Sequence, residues 1–241
     1  MANAIDIGGS RMFIFDPMYL LIVGPALILG IVAQVMVSRA YNRYSRVRNA
    51  RGVTGLQAAQ HLLMYNHMGE VQLEGTPGQL SDHYDPRNNK LRLSAGVART
   101  PSVAALGIVA HEVGHAQQVY AGYAPMSWRS AIVPVANIGS MAGPWLVLLG
   151  VLFQWSGLAW AGIVLFSTAA LFYLVTLPVE LDASRRGLAL LRDSGLVVPE
   201  ELDGARKVLR AASWTYVAAL LTSVLQLFYF ASLVGGGRRR S

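Results

Sequence analysis

The sequence predicts a mainly α, multi-pass membrane protein: four transmembrane helices with a small cytoplasmic α+β portion that carries the chemistry. Three observations lead there. Of 241 residues, 54% are hydrophobic and only 14% charged, and the mean hydropathy is +0.41, a balance that does not suit a water-soluble domain. The apolar residues collect in four runs, 18–37, 131–153, 157–179 and 214–234, with no Lys, Arg or Asp inside. Each is long enough to cross about 30 Å of hydrocarbon. The two polar segments between them, 38–130 and 180–213, hold ten and six of the 20 Lys and Arg residues, which places both on the cytoplasmic side by the positive-inside rule.

The net charge of +7 and a pI near 10.0 raise the question of nucleic acid. The basic residues follow the membrane topology instead, so the expected partner is the lipid bilayer and not nucleic acid. One feature is discordant: an even number of spans puts the Arg238 to Arg240 triplet outside, together with Arg11. There is no cysteine, which excludes disulfides and thiolate ligands and leaves His and carboxylates for any metal. The first apolar run starts late and is followed by Arg39, Arg43, Arg46 and Arg48 instead of a small-residue cleavage site. It is expected to stay as a span after the tail 1–17 and not to be cut as a signal peptide.

Asp16-Pro17 opens span 18–37, and its internal Pro25 is tolerable in a membrane helix. Thr54-Gly55-Leu56-Gln57 fits a capping box and predicts a helix over 54–68, with His61 and His67 packed or facing solvent. Three short extended pieces follow, 71–73, 80–84 and 91–94, separated by Gly75-Thr76-Pro77-Gly78 and Asp85-Pro86-Arg87-Asn88-Asn89. These turn signals predict a small antiparallel sheet or meander. Its last strand is expected at an edge, where an extended polypeptide substrate could pair. That makes Leu91, Arg92 and Leu93 candidate substrate contacts, against the alternative of a structural edge. His83, between Asp82 and Asp85, could orient substrate or stabilise an oxyanion; a surface histidine beside turn-capping aspartates is the competing reading.

Thr100-Pro101 reads as an N-cap followed by the first residue of a helix that reaches Tyr120. The hairpin 131–179 carries Gly139 and Gly143 at small-x-x-x-small spacing, the pattern of close helix packing. Glu180 then starts a cytoplasmic helix toward Leu191, and Pro199 opens a charged helix leading into the last span and basic tail, 214–241.

The chemistry centres on His111-Glu112-Val113-Gly114-His115. On a helix, residues four apart share a face, so His111 and His115 can hold one metal ion, and Glu112 stands beside it as a base for a bound water. A surface helix with two histidines is the bland alternative. Hydrolytic zinc sites usually have three protein ligands and an open position. Glu180, 65 residues after His115, is one candidate for the third, although a glutamate favoured by the helix macrodipole explains it equally well. Asp203, in Leu202-Asp203-Gly204, is another, because site-2-type intramembrane proteases pair the same metal motif with an aspartate. Its charged, amphipathic surroundings argue against it.

Several stretches together resemble the YugP-type membrane zinc metallopeptidases: residues 110–117, Ser-Asp-His-Tyr-Asp-Pro-Arg at 81–87, Leu-Arg-Leu-Ser at 91–94, Leu-Pro-Val-Glu at 177–180, Ala-Ser-Arg-Arg at 183–186 and 204–209, with the start of the first span. The resemblance covers nearly all of the chain after Arg11. It implies a zincin-like catalytic portion of the glutamate-zincin kind, one Zn2+ ligated by His111, His115 and Glu180, Glu112 as catalytic base, and a polypeptide substrate. It also implies a multi-pass membrane protein; with the basic segments placed inside, the expected location is the cell membrane, the bacterial inner membrane, with the site on the cytoplasmic side. One departure stands out: related glutamate-zincins often carry Asp four residues after the third ligand, where this chain has Ser184. A non-catalytic zinc-binding membrane scaffold is the alternative function, and a homo-oligomer or a further membrane partner stays open.

Overall fold

The computed structural model describes residues 16–237; the tail up to residue 15 and the Arg238 to Arg240 triplet lie outside the described residues. In chain order the elements are α1 (Pro17–Tyr44), α2 (Gly55–Tyr65), β1 (Gln72–Thr76), β2 (His83–Asp85), β3 (Lys90–Ser94), α3 (Ala95–Ala98), α4 (Val103–Tyr120), α5 (Ala124–Leu152), α6 (Ser156–Asp193) and α7 (Pro199–Gly237). Four of them, α1, α5, α6 and α7, are long and apolar enough to cross a membrane. Large apolar side chains remain on their outer faces, Leu21 at 72% exposure and Met141 at 75% among them. Such surface needs lipid around it.

Local sequence explains how the helices begin. Asp16 accepts a hydrogen bond from the Met18 N–H at 3.0 Å, and Pro17 takes a first-turn position where its missing N–H costs nothing. The capping box at Thr54 forms in both directions with Gln57. For α4 the cap is Ser102, which accepts from the Ala105 N–H at 3.1 Å, and not Thr100. Ser102 also bridges to Arg48 in the segment after α1, and this fixes where the helix can start.

The sheet departs from the antiparallel expectation. Its order is β1-β3-β2, with β1 parallel to β3 and β2 antiparallel to it. Strand β1 runs on through Gly75 to Thr76, so the chain turns later and crosses to the far side of β3 before β2 begins. Leu91-Arg92-Leu93 is therefore the central strand and not an edge. Lys90 to Arg92 are paired on both sides, and Leu93 with Gly75 of β1. Leu91 and Leu93 are buried in the core with Leu62, Leu106 and Val109. Arg92, on the other face, pairs with Glu74 of β1 at 3.1 Å and Asp85 of β2 at 3.0 Å. Alternation told which residues face inward, but it is blind to the neighbouring strand.

One further boundary moves. The expected break before Glu180 does not occur: α6 is one helix through Pro178, with Glu180 inside it. Helix α7 opens at Pro199 and carries its charged first turns into its apolar run as one helix. The hairpin of α5 and α6 packs through small residues as its spacing implied. A Cβ on Gly143 would lie 2.7 Å from Phe166 Cβ, and one on Gly162 2.6 Å from the Val147 nitrogen. We expect Gly143→Val to lower folding stability by about 1–3 kcal/mol, the usual range for overpacking, read as a reduced thermal midpoint in detergent. Gly30→Val in α1, with nothing within 4 Å of its Cβ position, is the control that should change little.

Candidate metal centre

Helix α4 brings His111 and His115 onto one face, and α6 crosses that face at Glu180. The approach is close because neither helix has a side chain in the way. A Cβ on Gly114 would stand 2.4 Å from the Ala183 carbonyl oxygen, and one on Gly187 2.5 Å from that of Ala110. Nδ1 or Nε2 of the two histidines and a carboxylate oxygen of Glu180 fall within 4.8 Å of one another. Specifically, Glu180 Oε2 is 3.1 Å from His111 Nε2 and 3.6 Å from His115 Nε2.

The other ring nitrogens are held from behind. His111 Nδ1 is 3.1 Å from Ser184 Oγ, and His115 Nδ1 is 3.0 Å from Gln118 Oε1. Both contacts suit an Nδ1–H donor, which leaves each Nε2 lone pair toward the shared centre. Ser184 thus supports His111 from one turn past Glu180 on α6. Gln118 is itself fixed, donating through Nε2 to the Val179 carbonyl at 2.8 Å and to Asp182 at 3.0 Å. Asp182 also accepts from Arg185 and Arg186.

Glu180 is 2% exposed, and its Oε1 accepts no hydrogen bond among the described residues, although the Arg129 guanidinium lies 3.3 Å away. A buried carboxylate facing two imidazole nitrogens is costly unless something balances it. A divalent cation held by two neutral histidines and one carboxylate would do so, and this donor set suits zinc. The residues present fit the ion.

Glu112 occupies the next position round α4. Its Oε2 accepts from the Tyr84 backbone N–H on β2 at 2.9 Å, so the outer edge of the sheet faces the motif helix. Burial pushes the Glu112 carboxyl up to about 7, and the Glu180 charge adds to this while His111 and the Tyr84 N–H oppose it. A cavity of about 220 Å3 opens on His111, Glu112 and Glu180, walled by Tyr41 of α1, Leu80, Ile108 and Tyr216 of α7.

Not every candidate arrives here. His83 stays exposed on β2, with Nδ1 2.8 Å from the Ser81 carbonyl and Nε2 3.4 Å from Arg92. Asp82 accepts from the backbone and hydroxyl of Ser94, and Asp85 from Arg87 and Asn88 in the following turn. Asp203 is half exposed on α7 and pairs with Lys207 at 2.6 Å, away from the histidines. It is an ordinary i, i+4 ion pair, which removes the site-2-type ligand set. Sequence reasoning missed Tyr84, Arg129 and Tyr216. Tyr84 contributes only its backbone, which has no signature, whereas Arg129 at a span entrance was a signal that could have been followed.

Comparison with known proteins gives the family. Residues 19–235 match a family described as "putative neutral zinc metallopeptidase", and the chain belongs to that family. Over 213 residues it is 40% identical to the "putative membrane protease YugP" of Bacillus subtilis (strain 168), covering 88% of this chain and 95% of that one. No solved structure matches the chain.

Glu180→Ala should strip the metal from the purified protein, and Asp203→Asn should leave it in place, as read by elemental analysis. Full zinc content in Glu180→Ala would mean that another residue completes the site.

Proposed function

We propose that this chain is a membrane zinc peptidase that holds one Zn2+ between His111, His115 and Glu180 and cleaves a polypeptide with Glu112 as general base. The observation that carries this reading is the convergence of those three donors within 4.8 Å, with the Glu112 carboxylate opening into the same cavity. When bound, zinc supplies Lewis acidity, activating a water and polarising the scissile carbonyl. Glu112 takes the proton from the attacking water and passes it to the departing amine, a task that favours a carboxyl titrating near neutrality. The Tyr84 N–H holds one of its oxygens, Oε2, so the carboxylate cannot swing away. The other oxygen is the one available for the proton.

What separates this from a zinc-binding scaffold is a free coordination position. Support for one comes from His83, a histidine that could supply a fourth ligand, which is engaged by Ser81 and Arg92 instead. We place the catalytic portion on the cytoplasmic side, because it adjoins the helix ends that carry most of the Lys and Arg.

Two outcomes check this. Glu112→Gln should keep its zinc and lose peptide hydrolysis by on the order of 10²–10⁴-fold, the usual range for a general base; hydrolysis at the wild-type rate would remove Glu112 from the mechanism. Since the chain has no cysteine, single replacements report sidedness. In intact cells a membrane-impermeant thiol reagent should label Ser156→Cys, in the hairpin turn, and reach Gln79→Cys only after lysis. The reverse pattern would invert the topology.

A further inference from the structure

Beside the metal centre, α6 and α7 leave a second hollow of about 680 Å3 that the reaction does not use. The two helices are joined by the short segment 194–198, so they run side by side in opposite directions. One end of the hollow is apolar, with Leu181 of α6 facing Trp214 and Val217 of α7. Leu181 is 49% and Trp214 39% exposed, so this end opens sideways, level with the start of the apolar run of α7. Away from that end four arginines, Arg185, Arg192, Arg206 and Arg210, join the lining beside Leu188 and Leu202.

These arginines are not equivalent. Arg185 is paired with Asp182 and Arg192 with Asp193. Arg206 and Arg210, both exposed and one helical turn apart on α7, have no carboxylate within ion-pair distance among the described residues. Asp203, the acidic residue closest in sequence, is held by Lys207. Two like charges at i, i+4 repel, and an anion between them would relieve that.

Depth identifies the anion. At 1.5 Å of rise per residue, Arg210 stands about 6 Å and Arg206 about 12 Å beyond Trp214, where the apolar run of α7 begins. The headgroup layer reaches roughly 5–8 Å beyond the hydrocarbon on each side. Arg210 therefore lies at phosphate depth, and Arg206, on a flexible stem, can reach back to it. An acidic peptide would match the charges but has no need of an apolar end open to the bilayer.

We propose that the hollow between α6 and α7 binds one anionic phospholipid, its phosphate on Arg206 and Arg210 and its acyl chains along Leu181, Trp214 and Val217. The site borders the metal-centre cavity, since Ser184, Leu209 and Ser213 line both. A seated lipid thus forms part of the wall behind the serine that orients His111. The inference depends on the four-span reading and not on the peptidase chemistry, so it can fail while that chemistry stands.

The test is native mass spectrometry of the full chain in detergent, with added phosphatidylglycerol or phosphatidylcholine of the same acyl composition. We expect one phosphatidylglycerol to be retained in preference to phosphatidylcholine. Arg206→Gln with Arg210→Gln should weaken it about 25-fold, at about fivefold for each arginine. Arg39→Gln with Arg46→Gln, which removes the same charge from exposed positions at the end of α1, should leave retention unchanged. Equal losses in the two double variants would reduce the effect to diffuse surface charge and overturn the site. Equal retention of the two lipids, which share a phosphate and differ in net charge, would overturn the selection of an anionic headgroup and with it the site. Displacement of the lipid by a soluble poly-glutamate peptide, lost in the Arg206 and Arg210 variant, would show a peptide groove instead.

Discussion

The site depends on how closely α4 and α6 can approach. Gly114 faces the Ala183 carbonyl and Gly187 faces that of Ala110, each with room for a hydrogen and none for a methyl group. The two glycines come from different helices: Gly114 stands between the two histidines on α4, and Gly187 about two turns past Glu180 on α6. With both in place, the backbones are near enough for the short carboxylate stem of Glu180 to meet two imidazoles from the opposite helix. Gly107 does the same for α7, where a Cβ would stand 3.2 Å from that of Ala205. Side chains at these positions would push the helices apart, and the donor set would lose its third member before any ligand was changed.

The second constraint is the change of solvent along α6 and α7. Each helix leaves the bilayer without a break and continues into the polar portion. A rigid helix passes on the position of its buried end. The hairpin packing around Gly143, Gly150 and Gly162 therefore helps set where Glu180 stands, just past the apolar run. Among the described residues the polar portion is therefore continuous with the long helices, with no linker between them. The small sheet, α2 and α4 pack on the helix ends, and their core shares residues such as Leu190, Leu191 and Ala205 with α6 and α7.

Around the ligands, polar groups are satisfied in depth. His115 leans on Gln118, Gln118 on Asp182 and the Val179 carbonyl, and Asp182 on two arginines. Buried polar groups tolerate little misplacement, so such a chain holds imidazole orientation better than packing alone. On the other side, Ser184 makes a single weaker contact with His111. The two histidines are thus supported unequally, through a charged network in one case and a hydroxyl in the other.

Much was legible before any coordinates. The four spans follow from uninterrupted apolar length, the caps at Asp16 and Thr54 from short-range hydrogen bonding, the α5–α6 contact from small-residue spacing, and His111, Glu112 and His115 from a four-residue helical period. Each of these is a relation between residues close in sequence. The sequence could not decide relations between distant ones. Glu180 was favoured over Asp203 by its surroundings and by resemblance, but only the crossing of α4 over α6 shows a carboxylate meeting the histidines. Leu91 to Leu93 had the alternation of a strand, and only the pairing with both β1 and β2 made it central. The reason is common to both: periodicity determines which face a residue occupies on its own element, while the element that covers that face is chosen by packing across the whole chain.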